Sequence, residues 1–215
     1  GITEEAMGCP IRSSMETVLL GYSEYGKPVY QDKNAHEADG IIVSCRIKPH
    51  NAFRGPYESG VCKMMVVGLG KQKGAESVHS DGLGNMARNL PANAKVVVEN
   101  SNILFAIPCV ENAYDETALI EAIPTEKIFE REPELLKTAF SNMPSILVKE
   151  ADVLVVNEIG KNFSGTGVDP NISGTWSTEF GKGGLQVKRT CFLDLRDSSH
   201  GNANGMGLAD VITKR

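Results

Sequence analysis

Two apolar, β-branched runs set the limits on how this chain can fold. Ile41-Ile42-Val43-Ser44-Cys45 follows Ala38-Asp39-Gly40, and Val153-Leu154-Val155-Val156 follows Ala151-Asp152, so the pattern starts twice. Continuous runs of this kind suit strands buried on both faces, as a parallel sheet covered by helices requires. Further strands are expected at Lys95-Val98, Asn102-Ile107 and Thr190-Leu195. Two short strands over 16–30 flank the turn at Tyr22-Pro28. Gly82 to Leu90 reads as helix. The segment 115–143, rich in Glu, Leu, Ala and Lys, also reads as helical, with Pro133 in a first turn, where its missing N–H is harmless. The expected fold is α/β: two α/β domains with mainly parallel sheets flanked by helices, residues 1–114 and 147–215, joined by a helical connector over 115–146.

A chain of 215 residues with 41% apolar composition is long enough for such a core. No apolar run approaches the roughly 20 residues that span a bilayer, and the N-terminus lacks the pattern of a secretory signal, so a cytoplasmic protein without a membrane partner is expected. A net charge of -5 disfavours a nucleic-acid partner, which needs a basic patch. The five cysteines are odd in number, widely spaced and never paired as CxxC, which fits reduced thiols rather than a disulfide framework or zinc ribbon. Both ends, Gly1-Ile2-Thr3-Glu4-Glu5 and Ala209 to Arg215, read as cut, so the chain is expected to be a piece of a longer protein.

The chemistry concentrates in Asp39 to His79. His50 lies thirteen residues before Lys63 and His79 sixteen after it, and Lys63 sits in a strand-like run, Gly60-Val61-Cys62-Lys63-Met64-Met65-Val66-Val67. An ammonium held against that apolar wall loses hydration, which lowers its pKa and makes the neutral, nucleophilic amine accessible. Singly, each group has an ordinary explanation: a lysine that snorkels to water, a strand-end histidine, a partly exposed helix histidine. The spacing of all three is more specific than any member. Nearby, Gly68-Leu69-Gly70-Lys71-Gln72-Lys73-Gly74 departs from the GxxxxGK[ST] order of a nucleotide triphosphatase, although its backbone N–H groups could cradle one phosphate. A non-catalytic phosphate- or nucleotide-binding module built on that loop is therefore the alternative reading. The glycine-rich loop from Gly160 to Gly174 is a plausible wall of a ligand site, because α/β proteins bind ligands at the carboxyl ends of parallel strands, and His200 could face the same cleft.

Ser59-Gly60-Val61-Cys62-Lys63, followed after sixteen residues by His79 and preceded by His50, resembles the cofactor-binding region of the nickel-dependent lactate racemase family. The resemblance covers about residues 37–80 and continues more weakly through Asn157. It implies that Lys63 carries a nickel-pincer nucleotide (pyridinium-3-thioamide-5-thiocarboxylic acid mononucleotide) through a thioamide bond, and that His79 completes the nickel coordination. It further implies that His50 is an acid/base for the substrate hydroxyl, that Ser59, Gly60 and Lys71 contact the cofactor, and that Lys161 is the substrate-contacting lysine. The implied activity is racemisation or epimerisation of a lactate-like 2-hydroxy acid, with cofactor-synthesis proteins as partners. Residues 1–114 would then be part of a cofactor-binding domain. The pattern departs from the family in a longer His50–Lys63 spacing and in Cys62, where the family has arginine; the family's first acid/base histidine lies upstream of the region represented.

Overall fold

The computed structural model describes residues 2–213, and Gly1, Lys214 and Arg215, which belong to the two expected cut ends, lie outside the described residues. A one-turn helix α1 (Glu4–Met7) precedes the hairpin of β1 (Thr17–Tyr22) and β2 (Pro28–Asp32), which pair antiparallel where two short strands were expected. After α2 (Lys33–His36) comes β3 (Ile41–Arg46). The chain then makes a long excursion into α3 (Val61–Lys63), which runs directly into a π-helical turn, Met64–Gly68, marked by the Leu69 N–H donating to the Met64 carbonyl at 2.8 Å. Helices α4 (Lys71–His79) and α5 (Met86–Asn100) lead into β4 (Ile103–Glu111), β5 (Thr117–Ile120), β6 (Ile123–Pro124) and α6 (Ile128–Asn142). The second half holds β7 (Glu150–Ile159), the short α7 (Pro170–Ser173), β8 (Gln186–Leu195) and β9 (Val211–Ile212).

The fold is α/β. In the first half β4 is the hub: β3 runs parallel to it, whereas β5 and β6 run antiparallel, so this sheet is mixed where a mainly parallel one was expected. The second half has a parallel sheet in the order β7-β8-β9. Segment 115–146, expected as a connector, adds β5 and β6 to the first sheet, and Ile123, Ile128, Leu135, Leu136 and Ala139 to the same core as Val43, Val66 and Leu90. A smaller core in the second half gathers Ile159, Val168 and Phe192. Among the described residues, no helix is long and apolar enough to cross a membrane.

Three local expectations are corrected. The run Ile41–Cys45 is covered on one face only: Ile41 and Val43 are buried, and Ile42 and Ser44 are exposed. Lys95–Val98 lies inside α5, because Met86, Leu90, Ala94 and Val97 recur at helical spacing over a fifteen-residue helix and outweigh a four-residue β-branched run. The run containing Lys63 is helical as well. Val61, Cys62, Met65 and Val66 face the core while Lys63 and Met64 turn away, a split that an all-apolar segment does not display in its sequence.

Pro133 is interior to α6 rather than in its first turn, so no backbone N–H at that position reaches back to the Phe129 carbonyl. The Tyr57 hydroxyl donates to that carbonyl instead, at 2.7 Å, with the two rings edge to face at 6.0 Å. We predict that Tyr57→Phe, which leaves the carbonyl unpaired, lowers unfolding free energy by about 1–2 kcal/mol in denaturant titration.

Candidate functional site

The excursion after β3 closes on itself. Lys48 N–H donates to the Ser59 carbonyl at 2.9 Å and Ser59 N–H returns to the Lys48 carbonyl at 3.3 Å, so residues 48–59 form a loop pinned at its neck to the end of β3. Inside it the Glu58 carboxylate is almost wholly buried and accepts from the N–H groups of His50 (2.6 Å) and Gly55 (3.2 Å) and from Arg54 Nη1 (3.3 Å). Burial pushes the Glu58 carboxyl above its ordinary range, and these donors oppose that shift.

Arg54 extends the loop's reach to the second half of the chain. Its Nη1 donates to the His50 carbonyl (2.9 Å), its Nη2 to Asn171 Oδ1 and the Lys182 carbonyl (2.9 Å), and its Nε to the same Lys182 carbonyl (3.1 Å). The guanidinium carbon also stands 4.6 Å from the centre of the Trp176 ring. Asn171, oriented by Asp169 through its Nδ2 at 2.8 Å, donates to the His50 carbonyl at 3.3 Å, and the Thr178 hydroxyl donates to the Ala52 carbonyl. Neither Arg54, Glu58 nor Asn171 stood out in the sequence. The only local trace is the four-residue spacing of Arg54 and Glu58 within a Gly- and Pro-containing stretch.

The loop holds His50 in one tautomer. Ala52 N–H donates to His50 Nδ1 at 3.1 Å, so Nδ1 carries the lone pair and the neutral ring bears its proton on Nε2. The ring rests on Phe53, with centroids 4.4 Å apart. Burial first, then the charges of Lys63, His79, Arg54 and Lys48, lower the His50 pKa to about 3. The neutral ring offers an Nε2–H donor, and burial disfavours the imidazolium.

Lys63 projects from α3 toward Ser59, whose Oγ lies 3.4 Å from its Nζ. Burial, and secondarily the charge of Lys48, depress its pKa. The shift runs in the direction reasoned from the sequence, although Lys63 rides on a helix rather than a strand. His79, exposed at the end of α4, donates from Nδ1 to the Ala75 carbonyl at 2.7 Å. A carbonyl only accepts, so Nδ1 carries a proton and Nε2 is the nitrogen that the neutral ring would offer a metal. Among the described residues no three His, Cys, Asp or Glu side chains converge to hold a metal. A metal taken by His79 would therefore draw its remaining donors from a bound ligand.

Lys71 and Lys161 are engaged elsewhere. Lys71 Nζ pairs with Asp32 at 3.1 Å, its backbone in the left-handed region at φ 54°. Gly60 and Ser59 sit at the neck of the loop. A Cβ on Gly70 or Gly74 would come within 2.0 Å or 2.5 Å of the Val66 carbonyl oxygen, so these glycines let α4 turn tightly against the helix before it. Gly74 N–H already donates to the Gly70 carbonyl at 2.8 Å. Of the groups considered for a phosphate cradle, the Gly74 N–H and the Lys71 ammonium thus already have partners. Lys161 turns its Nζ to the Gly165 carbonyl, 2.8 Å away, and lines a cleft of about 470 Å³ between the two halves with Lys48, Asn112, Asn142, Asn162 and Ser164. His200 lies outside that lining, in a left-handed turn.

No protein-family model matches this chain, and no curated protein matches it. Among solved structures, the lactate racemase apoprotein from Thermoanaerobacterium thermosaccharolyticum is similar at 21% identity and a TM-score of 0.49, over 83% of this chain and 42% of that one. The chain thus spans less than half the length of that structure.

Two outcomes follow from the geometry. Arg54→Ala leaves Glu58 buried without its counter-ion and frees the 171–182 segment. Stability in denaturant is expected to fall by about 3 kcal/mol, with faster proteolysis in that segment; Arg54→Lys should be intermediate because it lacks the planar fork. For His50 the folded pKa of about 3 lies below the ordinary 6.5, so the unfolded chain binds the extra proton between those values. Stability is therefore lost as pH falls from about 6.5 toward 3, by up to about 1.4 kcal/mol per unit. Thermal midpoints of His50→Asn across that range should show a shallower acid slope than those of the parent.

Proposed function

We propose that this chain forms part of a racemase or epimerase of a 2-hydroxy acid, with a nickel-pincer nucleotide attached through Lys63 and its nickel bound by His79 Nε2. The observation that carries the reading is the Lys63 amine, set 3.4 Å from Ser59 Oγ and depressed by burial, together with an exposed His79 whose Nδ1 is engaged by the Ala75 carbonyl. When bound, the group supplies a hydride acceptor and donor beside the metal. The chain's own residues do the rest. The neutral Lys63 amine is the competent form for covalent attachment. The Ala75 carbonyl fixes the His79 ring and leaves Nε2 available for the metal. His50 Nε2–H donates to an oxygen of the substrate, and becomes a proton acceptor at a ring nitrogen only if Nδ1 is released from Ala52 N–H. Lys48, whose charge acts on both His50 and Lys63, attracts a substrate carboxylate toward the cleft it lines. Cofactor-synthesis proteins are the partners this reading requires, and the cytoplasm is its compartment.

The test is to produce the protein together with the cofactor-synthesis enzymes and measure intact mass, nickel content and racemisation. An adduct on Lys63 with bound nickel is expected. His79→Ala should lose nickel, while His50→Ala keeps adduct and metal and loses turnover by roughly a hundredfold or more. An unmodified Lys63 would sink the proposal, and equal metal loss in both histidine variants would overturn the division of roles.

A further inference from the structure

The helix that carries Lys63 begins at Gly60, whose extended backbone (φ -168°, ψ -150°) and missing side chain provide no cap for the helix's first N–H groups. The cap comes from α6. Cys62 N–H donates to Glu132 Oε2 at 2.9 Å across a sequence separation of 70 residues, and the Val61 N–H and the Cys62 thiol act on the same carboxylate. Glu132 is 1% exposed, and its Oε1 has no hydrogen-bond partner among the described residues. A carboxylate buried to this degree with a free oxygen is a costly way to fill space, and an apolar side chain of similar volume often serves stability as well or better. An acceptor facing the unpaired N–H groups at the start of a helix has a geometric reason to be there, even as burial pushes the Glu132 carboxyl above its ordinary range.

Gly60 accommodates the same group. A Cβ at that position would lie 2.2 Å from Glu132 Oε1 and 2.9 Å from its carboxyl carbon. The glycine, expected to contact a cofactor, therefore makes room for Glu132. The adjacent turn of α6 holds the other side of the segment, since the Phe129 carbonyl, without a backbone donor from Pro133, receives the Tyr57 hydroxyl. Tyr57 and Cys62 thus bracket Ser59 and Gly60 with two anchors on one helix, and Ser59 Oγ is the atom that Lys63 Nζ faces.

We propose that Glu132 is the positioning residue for the Lys63 amine: capping from α6 sets the start of the Lys63 helix, and with it the depth at which Nζ sits beside Ser59. The inference concerns the site of the reading above, but its test needs neither nickel nor cofactor. Lys63 labelling by an amine-reactive reagent, trinitrobenzenesulfonate, is followed against pH by mass spectrometry in the full chain, together with denaturant unfolding. Glu132→Gln retains an acceptor for Cys62 N–H and should keep the parental Lys63 profile. Glu132→Leu, which preserves bulk in the core, and Glu132→Ala should let the amine move toward water, raising its midpoint by roughly half a pH unit, or about threefold slower labelling below the midpoint. Gly60→Ala should shift the profile the same way, and adding it to Glu132→Ala should have little further effect because the clash is gone. A parental profile in Glu132→Leu, or additive effects of the Gly60 and Glu132 changes, overturns the proposal. Absence of a cofactor adduct on Lys63 would sink the functional reading and leave this one standing.

Discussion

The buried pair of Glu58 and Arg54 underlies the arrangement of the whole site. Glu58 gathers the N–H groups of His50 and Gly55 with one Arg54 nitrogen, which gives an otherwise irregular loop an interior. Arg54 then spends its remaining donors on Asn171 and the Lys182 carbonyl, more than a hundred residues away. One guanidinium thus shapes the loop that holds His50 and ties that loop to the second half of the molecule. Its planar fork meets these acceptors at once, which a point-charge ammonium cannot do.

Chemical character at the three central groups follows from their hydrogen-bond partners more than from their identities. The two histidines have the same side chain, yet Ala52 N–H makes His50 an Nε2–H donor while the Ala75 carbonyl makes His79 an Nε2 acceptor. Lys63 is depressed by burial and by the charge of Lys48, which also lowers the His50 pKa. Burial thus disfavours the charged forms of both Lys63 and His50.

Much of the architecture was legible locally. The hairpin at 16–32, the strands β4, β7 and β8, and the helix that follows Gly82 coincide with runs whose length and turn residues are distinctive. The strand expected at Lys95–Val98 and the strand-like run around Lys63 were misread for one reason. Short all-apolar segments have no period, and what decides between helix and strand is the pattern of burial against neighbours. Pro133 misled in the same way, since its position looked suited to a helix start, while Tyr57 supplies the donor that makes it tolerable in the interior.

By itself the sequence determined the α/β class and the order and spacing of His50, Lys63 and His79, because these depend on residue types and intervals within a short stretch. The tertiary structure alone decided which nitrogen of each histidine the backbone engages, that Lys63 rides on a helix, that Glu132 reaches the start of that helix, and that Arg54 and Asn171 bond to the loop holding His50. Each of those properties is set by a hydrogen bond whose partner is chosen by the folded backbone, in some cases from 70 to 128 residues away. No local pattern encodes such a partner, since only packing brings the two atoms within bonding distance.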